Sequence, residues 1–321
     1  MAEIVVVGAG VIGLTTATTL EERGHRVRVI GAATGLEITS SVAGAIWFPF
    51  KAEPRERVSR WASVSRRWLI DVASERREAG VDALRAIQLD DSDRIPWWGE
   101  GIEDLRLLRD GYPGDAPFAW SFTAPRVDPL IHLHWLESRL KRSVVRRRLA
   151  SIAEAFEPAA GDTPPDIVVN CSGLESQRLQ HDGRMRPLYG QVVVVAPTGI
   201  DLGVTIADER DEHAFFYVIP RRTEVVIGGC TREWEGPDPD GTLPYPDPAI
   251  RLQILERAAR YGIKPAKVLR DVAGLRPYRD AVRVERDATD PRVIHNYGHG
   301  GSGYTIARGC AEEVASLVAG A

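Results

Sequence analysis

Two glycine-rich turns, one near each end of the chain, constrain the fold more than any other feature of the sequence. The first covers residues 8–13 (Gly-Ala-Gly-Val-Ile-Gly) and the second covers residues 299–305 (His-Gly-Gly-Ser-Gly-Tyr-Thr). Each turn leads into a helix-like run, and a glycine turn that opens a helix can hold an anionic group against the helix N-terminus. The pairing therefore predicts one long ligand that is held from both ends of the chain.

The first turn has the sequence context of a dinucleotide-binding motif. It follows the strand-like run 3–7 and opens a helix-like run that Gly24 is expected to end at the C′ position. Gly8 permits the tight turn, Gly10 lets the backbone approach a pyrophosphate, and Gly13 lets the helix pack on the strand. The residues predicted to bind the nucleotide here are Gly8, Ala9, Gly10, Val11, Ile12 and Gly13.

The adenosine end of this motif departs from the usual pattern. An acidic residue for the ribose hydroxyls is expected after the second strand, about 20 residues beyond the glycines. The strand-like run 25–30 is followed instead by Gly-Ala-Ala-Thr-Gly-Leu, and the first acid is Glu37. Either Glu37 or backbone groups replace the usual acid, or the adenosine is held loosely. The motif alone therefore does not separate NAD from FAD.

Composition narrows the class of protein. A chain of 321 residues can bury a full core and form more than one domain. The formal net charge of −4 gives no support for binding nucleic acid or an anionic membrane, and the basic run 141–148 is expected to be a solvated helix end and strand edge. The three cysteines show no CxxC spacing, which disfavours a metal site or a disulfide framework. No run of 18 apolar residues occurs, so no membrane span is predicted.

Strand and helix patterns alternate along the rest of the chain. Helices are predicted over residues 55–80, 128–142 and 248–262, with Asp128 as N-cap and Pro129 at N1 of the second. Mixed short strands and turns are predicted over 81–127, and long strands of an antiparallel sheet over 190–195, 214–220 and 224–229. The strand-like runs 166–173 and 293–297 would return the chain to the nucleotide-binding sheet.

Six segments, in content and in order, resemble the D-amino-acid oxidase family. They are residues 8–14 (GAGVIGL), 43–47 (AGAIW), 169–173 (VNCSG), 217–220 (YVIP), 274–277 (GLRP) and 294–303 (IHNYGHGGSG). The resemblance spans nearly the whole chain. It implies that FAD is bound non-covalently, that hydride passes from the substrate Cα to the flavin, and that O₂ takes the electrons. A D-amino acid would thus give a 2-oxo acid, ammonia and hydrogen peroxide.

The expected fold class is α/β (α+β). A Rossmann-like FAD-binding domain, discontinuous in sequence, would carry an inserted substrate domain built on a mostly antiparallel sheet. The FAD-binding domain is assigned to residues 1–50, 128–186 and 276–321, and the substrate-binding domain to residues 51–127 and 187–275.

The resemblance implies three substrate-contacting residues, Arg276, Tyr217 and Gly301. The guanidinium of Arg276 presents a planar fork of donors that matches a carboxylate, which agrees with the implied role. The Tyr217 hydroxyl would donate to the same carboxylate, and the Gly301 carbonyl would accept from the amine. The alternatives are that Arg276 pairs with a structural carboxylate, Asp271 or Asp280, and that the tyrosine ring lies in the core.

The remaining implied contacts are with the cofactor, FAD. Residues Thr39, Ser40 and Ser41 would lie near the phosphates; Gly44, Ala45 and Ile46 along the isoalloxazine; Leu149 by the adenine; Ser172 and Gly173 beside the second nucleotide turn; and Gly300, Gly301, Ser302, Gly303, Tyr304 and Thr305 around the flavin. Arg283 resembles a family arginine near the flavin, with an Arg283–Glu285 pair as the alternative. His295 and His299 span a strand-to-loop break rather than a helix face, and no metal is expected.

The substrate side chain is the least specified feature. The family's lid tyrosine has no counterpart in residues 208–214, where the acidic neighbours of Arg210 are expected to neutralise it. Aromatic residues near the site predict a mainly apolar pocket: Trp47, Phe48, Phe50, Phe215 and Phe216. Neutral or apolar D-amino acids are therefore expected. A D-aspartate oxidase, a glycine or sarcosine oxidase-type enzyme and a flavin protein without turnover are the alternatives.

The expected partners are a small-molecule D-amino acid and O₂, with no nucleic acid and no membrane, and a homodimer is left open. The sequence ends Val-Ala-Gly-Ala rather than in a peroxisomal tripeptide, which favours the cytoplasm as location.

Overall fold

A computed structural model describes residues 1–158, 161, 163–211, 214–237 and 242–320 of the chain. Its strands are β1 (Glu3–Val7), β2 (Arg26–Gly31), β3 (Val81–Asp90), β4 (Arg106–Leu108), β5 (Phe118–Val127), β6 (Val145–Arg146), β7 (Ile167–Asn170), β8 (Arg186–Val195), β9 (Val204–Asp208), β10 (Phe216–Pro220), β11 (Val225–Gly228), β12 (Arg232–Glu233), β13 (Val268–Arg286) and β14 (Val293–His299). Its α-helices are α1 (Val11–Glu22), α2 (Arg55–Glu75), α3 (Pro129–Ser138), α4 (Ser176–Leu179), α5 (Pro248–Arg260) and α6 (Gly303–Ala319).

One continuous sheet, whose two halves differ in strand direction, organises the molecule. Its order is β4-β5-β3-β9-β10-β11-β8-β13-β14-β7-β1-β2-β6, with β12 paired to β8. Strands β14, β7, β1, β2 and β6 pair in parallel, whereas the other half is antiparallel except for the β3–β9 pair. Strand β13 joins the halves because it pairs antiparallel with both β8 and β14. The predicted α/β class with a mostly antiparallel second sheet region is confirmed.

The two largest apolar cores among the described residues lie on this sheet. The larger lies where α1, α2 and α6 pack against the parallel half, and it includes Leu14, Val58, Trp61 and Val314. The second lies between α5 and the antiparallel half. Since α1 belongs to the start of the chain and α6 to its end, their packing brings the two glycine turns together.

Most predicted elements are present, with shifted ends. Gly24 adopts φ = 86° after α1, and the amide of His25 donates to the Leu20 carbonyl at 3.1 Å, so the predicted C′ glycine is confirmed. Helix α3 begins at Pro129 as expected but ends at Ser138, four residues early.

The prediction of short strands over residues 81–127 is wrong. Strands β3 and β5 are ten residues each and pair along their full length. The turn-rich stretch between them made the region look irregular. The 19-residue β13 was not predicted as a strand, because its charged residues interrupt the apolar alternation by which strands are recognised.

The basic run at residues 141–148 lies at the surface. Arg146, Arg147 and Arg148 form ion pairs with glutamates, as expected of a solvated segment. All three cysteines are free thiols. Within the described residues, no helix is long and apolar enough to cross a membrane.

Candidate active site

The two glycine turns meet at the N-termini of α1 and α6. A Cβ placed on Gly303 would lie 3.6 Å from Cγ1 of Val11. Neither helix has a side-chain cap, and neither has an acidic residue in its first turn. Two helix N-termini therefore converge without a carboxylate of their own, an arrangement that favours a bound anion.

The first turn is too tight for any side chain at two of its glycines. Gly8 adopts φ = 120°, and a Cβ there would lie 2.3 Å from the carbonyl oxygen of Cys171. A Cβ on Gly13 would lie 1.8 Å from the carbonyl oxygen of Gly8. Cys171 directly follows β7, so the first glycine turn packs directly against the turn after β7. The backbone of this region is thus left bare for a ligand.

Three side chains of the second turn fasten the segment at residues 40–50. The Ser302 hydroxyl donates to the Phe50 carbonyl at 2.8 Å, and Thr305 Oγ1 donates to the Phe48 carbonyl at 2.8 Å. The Tyr304 hydroxyl donates to the Ser40 carbonyl at 2.9 Å. These polar groups are therefore already engaged, and contacts of these residues with a cofactor would be made mainly by the backbone.

Other residues of the segment at 39–46 line the same region. Ser40 Oγ accepts from the Val11 amide at 3.1 Å, which places this serine at the N-terminus of α1. Ala45 adopts φ = 59°, an uncommon left-handed conformation for a residue with a Cβ, and its carbonyl accepts from Val127 N at 2.8 Å. Ile46 packs beside Tyr217 and Ile219. Thr39 and Ser41 donate to nearby carbonyls, those of Leu275 and Ile38 respectively.

The predicted contacts for the adenosine end are brought to the ends of the parallel strands. Ser172 and Gly173 follow β7, and the Ser172 hydroxyl donates to Asn170 Oδ1 at 2.6 Å. Leu149 is buried beside Val7 and Ile30, the residues near the ends of β1 and β2. Contact of these residues with a nucleotide stays a prediction.

Two charged residues considered at the sequence level are engaged in ion pairs. Glu37 pairs with Arg146 at the surface, where the side chains are 52% and 62% exposed. Arg283 pairs with Glu285 at 2.8 Å, the alternative considered for it, and it also donates to the Tyr297 hydroxyl at 2.7 Å. A flavin contact by Arg283 stays a prediction.

Arg276 and Tyr217 lie on one face of the antiparallel half, over positions where the sheet carries glycine. A Cβ on Gly190 would lie 2.1 Å from Nη1 of Arg276, and a Cβ on Gly228 would lie 2.0 Å from Cζ of Tyr217. The tyrosine ring also lies against Gly44, where a Cβ would be 3.3 Å from Cε2. The two side chains can therefore lie flat on the sheet only because these positions lack a Cβ.

Neither structural carboxylate considered for Arg276 pairs with it. Asp271 pairs with Arg251, and Asp280 pairs with Arg186 at 2.7 Å. Among the described residues, no carboxylate lies within ion-pair distance of the Arg276 guanidinium.

Neutral groups position the Arg276 guanidinium instead. Nη1 donates to Thr231 Oγ1 at 2.6 Å and to the carbonyls of Tyr189 and Cys230 at 3.3 Å. These contacts fix one edge of the planar group. Its positive charge is not neutralised by a carboxylate among the described residues, which suits an anionic ligand.

The Tyr217 phenol stays protonated and can act as a neutral hydrogen-bond donor. Burial raises the pKa of the Tyr217 phenol, while the nearby Arg276 charge acts in the opposite direction. A neutral hydroxyl next to a guanidinium can donate to a carboxylate that the guanidinium also binds.

Gly301 lies beside the Arg276 side chain. A Cβ on Gly301 would lie 2.8 Å from Cδ1 of Phe50 and 3.6 Å from Cδ of Arg276. The structure thus brings together the three residues implied to contact substrate. The Phe50 ring lies 5.4 Å from that of Phe215, which gives the site one aromatic wall.

The prediction of an aromatic pocket is only partly right. Trp47 is buried in the larger core, where its indole donates to the Ala62 carbonyl at 2.9 Å. Phe216 points to the opposite sheet face and stacks on Tyr261, with ring centroids 4.4 Å apart. Strand alternation sends neighbouring side chains to opposite faces, so sequence proximity to the site overestimated the number of aromatic residues in it.

Sequence reasoning missed the residues that position Arg276 and Tyr217. Thr231, Gly190 and Gly228 were not identified from the sequence, because the roles of the two glycines depend on the pairing of β8 with β13 and of β10 with β11. The glycines within valine-rich strands were the available hint, since glycine in a strand marks a close approach.

The two histidines near the second turn are engaged separately. His295 Nε2 lies 2.9 Å from Asp287 Oδ2, and His299 Nε2 lies 3.1 Å from Asn296 Oδ1. Burial lowers the pKa of His299 to about 3, so it is neutral at ordinary pH. No cluster of metal-ligating side chains occurs in the described part of the chain.

Adding a methyl group at Gly228 should disturb the site without replacing Arg276 or Tyr217. Gly228→Ala would push the Tyr217 ring away, because the new Cβ falls within the ring. We expect kcat/KM for the enzyme's substrate to fall by more than the value for Tyr217→Phe, as shown by steady-state kinetics. An unchanged kcat/KM would mean that the ring position does not matter.

We compared the chain with protein-family models, with known sequences and with solved structures, and the three comparisons agree. The family model described as FAD dependent oxidoreductase (DAO) matches residues 3–317. The chain is 38% identical to a D-amino-acid oxidase of Streptomyces coelicolor over 98% of this chain and 96% of that protein. It is 36% identical to a D-amino-acid oxidase of Rubrobacter xylanophilus over 100% of this chain and 97% of that protein. The crystal structure of glycine oxidase from Bacillus cereus superposes with a TM-score of 0.78 at 21% identity, covering 100% of this chain and 95% of that one.

Proposed function

The chain belongs to the D-amino-acid oxidase family of FAD-dependent oxidoreductases, and we propose that it oxidises D-amino acids to 2-oxo acids, ammonia and hydrogen peroxide. The observation that carries the proposal is the convergence of Arg276, Tyr217 and Gly301 beside the meeting point of the two glycine turns. The structural similarity to glycine oxidase, at 21% sequence identity, supports the fold but not the activity.

The residues at the turns fit FAD. The converging N-termini of α1 and α6 suit the pyrophosphate and the polar edge of the flavin, and the bare backbone at Gly8 and Gly13 allows close approach. When bound, FAD supplies a two-electron acceptor for the hydride on the substrate Cα and a route for those electrons to O₂. We also propose a division into an FAD-binding domain, which would carry the parallel strands, and a substrate-binding domain, which would carry most of the antiparallel strands.

The chain's own residues bind and orient the substrate. Arg276 holds the carboxylate by a planar pair of donors, the Tyr217 hydroxyl donates to the same group, and the Gly301 carbonyl accepts from the amine. These three contacts fix the orientation of the substrate and therefore the direction of its Cα–H bond. Such orientation supplies much of the rate in a reaction that needs no protein acid or base at the reacting atom, because the amine enters the step neutral.

Removal of the Tyr217 hydroxyl should have a moderate effect. Tyr217→Phe loses one hydrogen bond to a charged group, worth about 1.5–3 kcal/mol, while Arg276 keeps the carboxylate in place. We expect kcat/KM to fall by about 10- to 100-fold, mostly through KM. Complete loss of turnover in a protein that retains its flavin would show that the hydroxyl does more than bind.

The proposed activity is tested with purified protein and two enantiomers. D-Alanine should yield pyruvate, ammonia and hydrogen peroxide in equal amounts, and L-alanine should yield none. Equal turnover of both enantiomers, or no peroxide from a panel of neutral D-amino acids, would reject the assignment.

Acidic D-amino acids should be poor substrates. Arg210, the cation considered for a second carboxylate, is held by Asp208, Asp91 and Asp115 at 2.7–3.1 Å. Burying a second carboxylate without a partner is costly. In a peroxide assay, kcat/KM for D-aspartate should therefore be lower than for D-alanine or D-valine. A D-aspartate value above every neutral substrate would assign a D-aspartate oxidase instead.

We also propose a cytoplasmic location, and a homodimer is the assembly to test first. Fractionation and size-exclusion chromatography with light scattering measure these two properties. Activity confined to a membrane fraction without peroxide release would contradict the first.

A further inference from the structure

A cavity outside the candidate active site has no part in the proposed chemistry. It measures about 480 Å³ and is lined by the last turns of α2, the start of β3 and the ends of β5 and β10. Its apolar wall consists of Ile70, Ala73, Leu84, Leu202 and Pro220. Pro220 lies three residues beyond Tyr217 on β10, about 10 Å along the strand. None of the residues implied to contact FAD or substrate is among the described lining residues, so the cavity is separate from the candidate active site.

Three arginines and one carboxylate form the charged part of the lining. Arg126 lies opposite Asp82 in the β3–β5 pair, and the two side chains form an ion pair. Asp82 also pairs with Arg222 at 3.1 Å, so two guanidiniums share one carboxylate. Asp82 is the one carboxylate among the described residues that line the cavity, and Arg221 is the third cation. The lining therefore carries more positive than negative charge.

The Arg126 guanidinium is buried with too few hydrogen-bond acceptors. Its side chain is only 3% exposed, yet Nε and Nη1 have no hydrogen-bond partner in the described part of the chain. Burial lowers the pKa of Arg126 to about 10, although Asp128 raises it. The nearby charges of Arg222 and Arg221 also lower it. A buried N–H group without an acceptor is costly, and so is a buried charge without a full counterion. A second anion beside Asp82 would supply both.

Arg221 shows the same shortage of acceptors. Its side chain is 10% exposed, and its Nε is buried without a hydrogen-bond partner among the residues that the structure describes. The other two nitrogens are used, since Nη1 donates to Glu224 at 3.1 Å and Nη2 donates to the Ala43 carbonyl at 2.8 Å. Glu224 also pairs with Arg270 at 2.8 Å, so its charge is shared between two arginines. Arg222 completes the group and is open to solvent, because its side chain is 42% exposed.

We propose that this cavity binds a small molecule that carries a carboxylate on an apolar body. Arg126 and Arg222 hold the carboxylate, and the apolar wall covers the body. The volume of about 480 Å³ lies in the range of small-molecule sites, which combine an apolar lining with a few polar groups. A bare phosphate would leave the apolar wall uncovered. Short fatty acids and branched 2-oxo acids share the required chemistry.

Isothermal titration calorimetry on the flavin-loaded protein tests the proposal. The titrations use Arg276→Ala, because this variant lacks the guanidinium that would bind a carboxylate in the active site. Octanoate and 4-methyl-2-oxopentanoate are the probes for the two sources, and at least one of them should bind with one site per chain. The tighter of the two identifies the source. 1-Octanol and inorganic phosphate should bind at least about tenfold more weakly, since each lacks one of the two required features.

Two substitutions in that background locate the bound carboxylate. Arg222→Gln removes the partly exposed guanidinium, and Arg126→Met removes the buried one while retaining an unbranched apolar side chain. Each should weaken the binding of the tighter probe by about tenfold or more. The matched control is Arg109→Gln, since Arg109 is 64% exposed, pairs with Asp93 at 3.3 Å and lies outside the lining. This control should leave the affinity unchanged.

Four results would overturn the proposal. They are no binding of either carboxylate, an affinity that either substitution leaves unchanged, binding of phosphate tighter than that of both carboxylates, and binding of 1-octanol as tight as that of octanoate. If Arg126→Met does not fold, Arg222→Gln decides. The proposal does not depend on D-amino-acid oxidation, so a failure of the proposed function would leave it standing.

Discussion

Replacement of Arg276 with alanine should lower kcat/KM for D-alanine by about 10²- to 10⁴-fold. The variant loses two charge-assisted hydrogen bonds to the carboxylate, each worth about 1.5–3 kcal/mol, in the ground state and in the transition state together. The loss should therefore appear largely as a higher KM. Steady-state peroxide formation over a wide range of D-alanine concentrations measures it.

The matched control is an arginine on the same strand. Arg270 also lies on β13, but it is 51% exposed and pairs with Glu224 at 2.8 Å. Arg270→Ala should keep kcat/KM within about twofold, since exposed ion pairs contribute little. Both variants should retain their flavin. Near-normal kinetics in Arg276→Ala would mean that the substrate carboxylate binds elsewhere.

Replacement of Gly13 with alanine should abolish FAD binding. The added Cβ would lie 1.8 Å from the Gly8 carbonyl oxygen, and backbone on both sides cannot move aside cheaply. The turn must open or α1 must shift, which displaces the helix N-terminus from the pyrophosphate and destabilises the fold by about 1–3 kcal/mol. Flavin absorbance per protein should fall to about a tenth or less, with a lower Tm.

Gly183 provides the control for this glycine. It is exposed, and a Cβ there would meet nothing within 4 Å. Gly183→Ala should keep the flavin content and Tm of the wild type. If Gly13→Ala purifies with a full complement of FAD, the first glycine turn is not the pyrophosphate site.

The sequence was most informative where a local pattern determines local structure. The glycines of the first turn, the C′ role of Gly24 and the start of α3 at Pro129 follow from backbone geometry over a few residues. The family resemblance then supplied the pairing of Arg276 with Tyr217, which lie 59 positions apart and could not be joined by spacing.

The remaining features depend on strand register, which the sequence did not determine. The bare surface under Arg276 and Tyr217 depends on two registers: Gly228 lies opposite Tyr217 in the β10–β11 pair, and Gly190 lies opposite Gly274, two residues before Arg276, in the β8–β13 pair. A shift of one residue in either pair would send these groups to the opposite face.

The central claim is that this chain holds FAD between its two glycine turns and passes it the hydride of a D-amino acid. The most direct measurement is the visible absorbance of the purified protein without oxygen. The flavin bands should be present, should bleach when D-alanine is added, and should return with release of peroxide when O₂ is admitted, whereas L-alanine should leave them unchanged. A protein that lacks flavin bands after FAD is supplied, or bands that no D-amino acid bleaches, would contradict the claim.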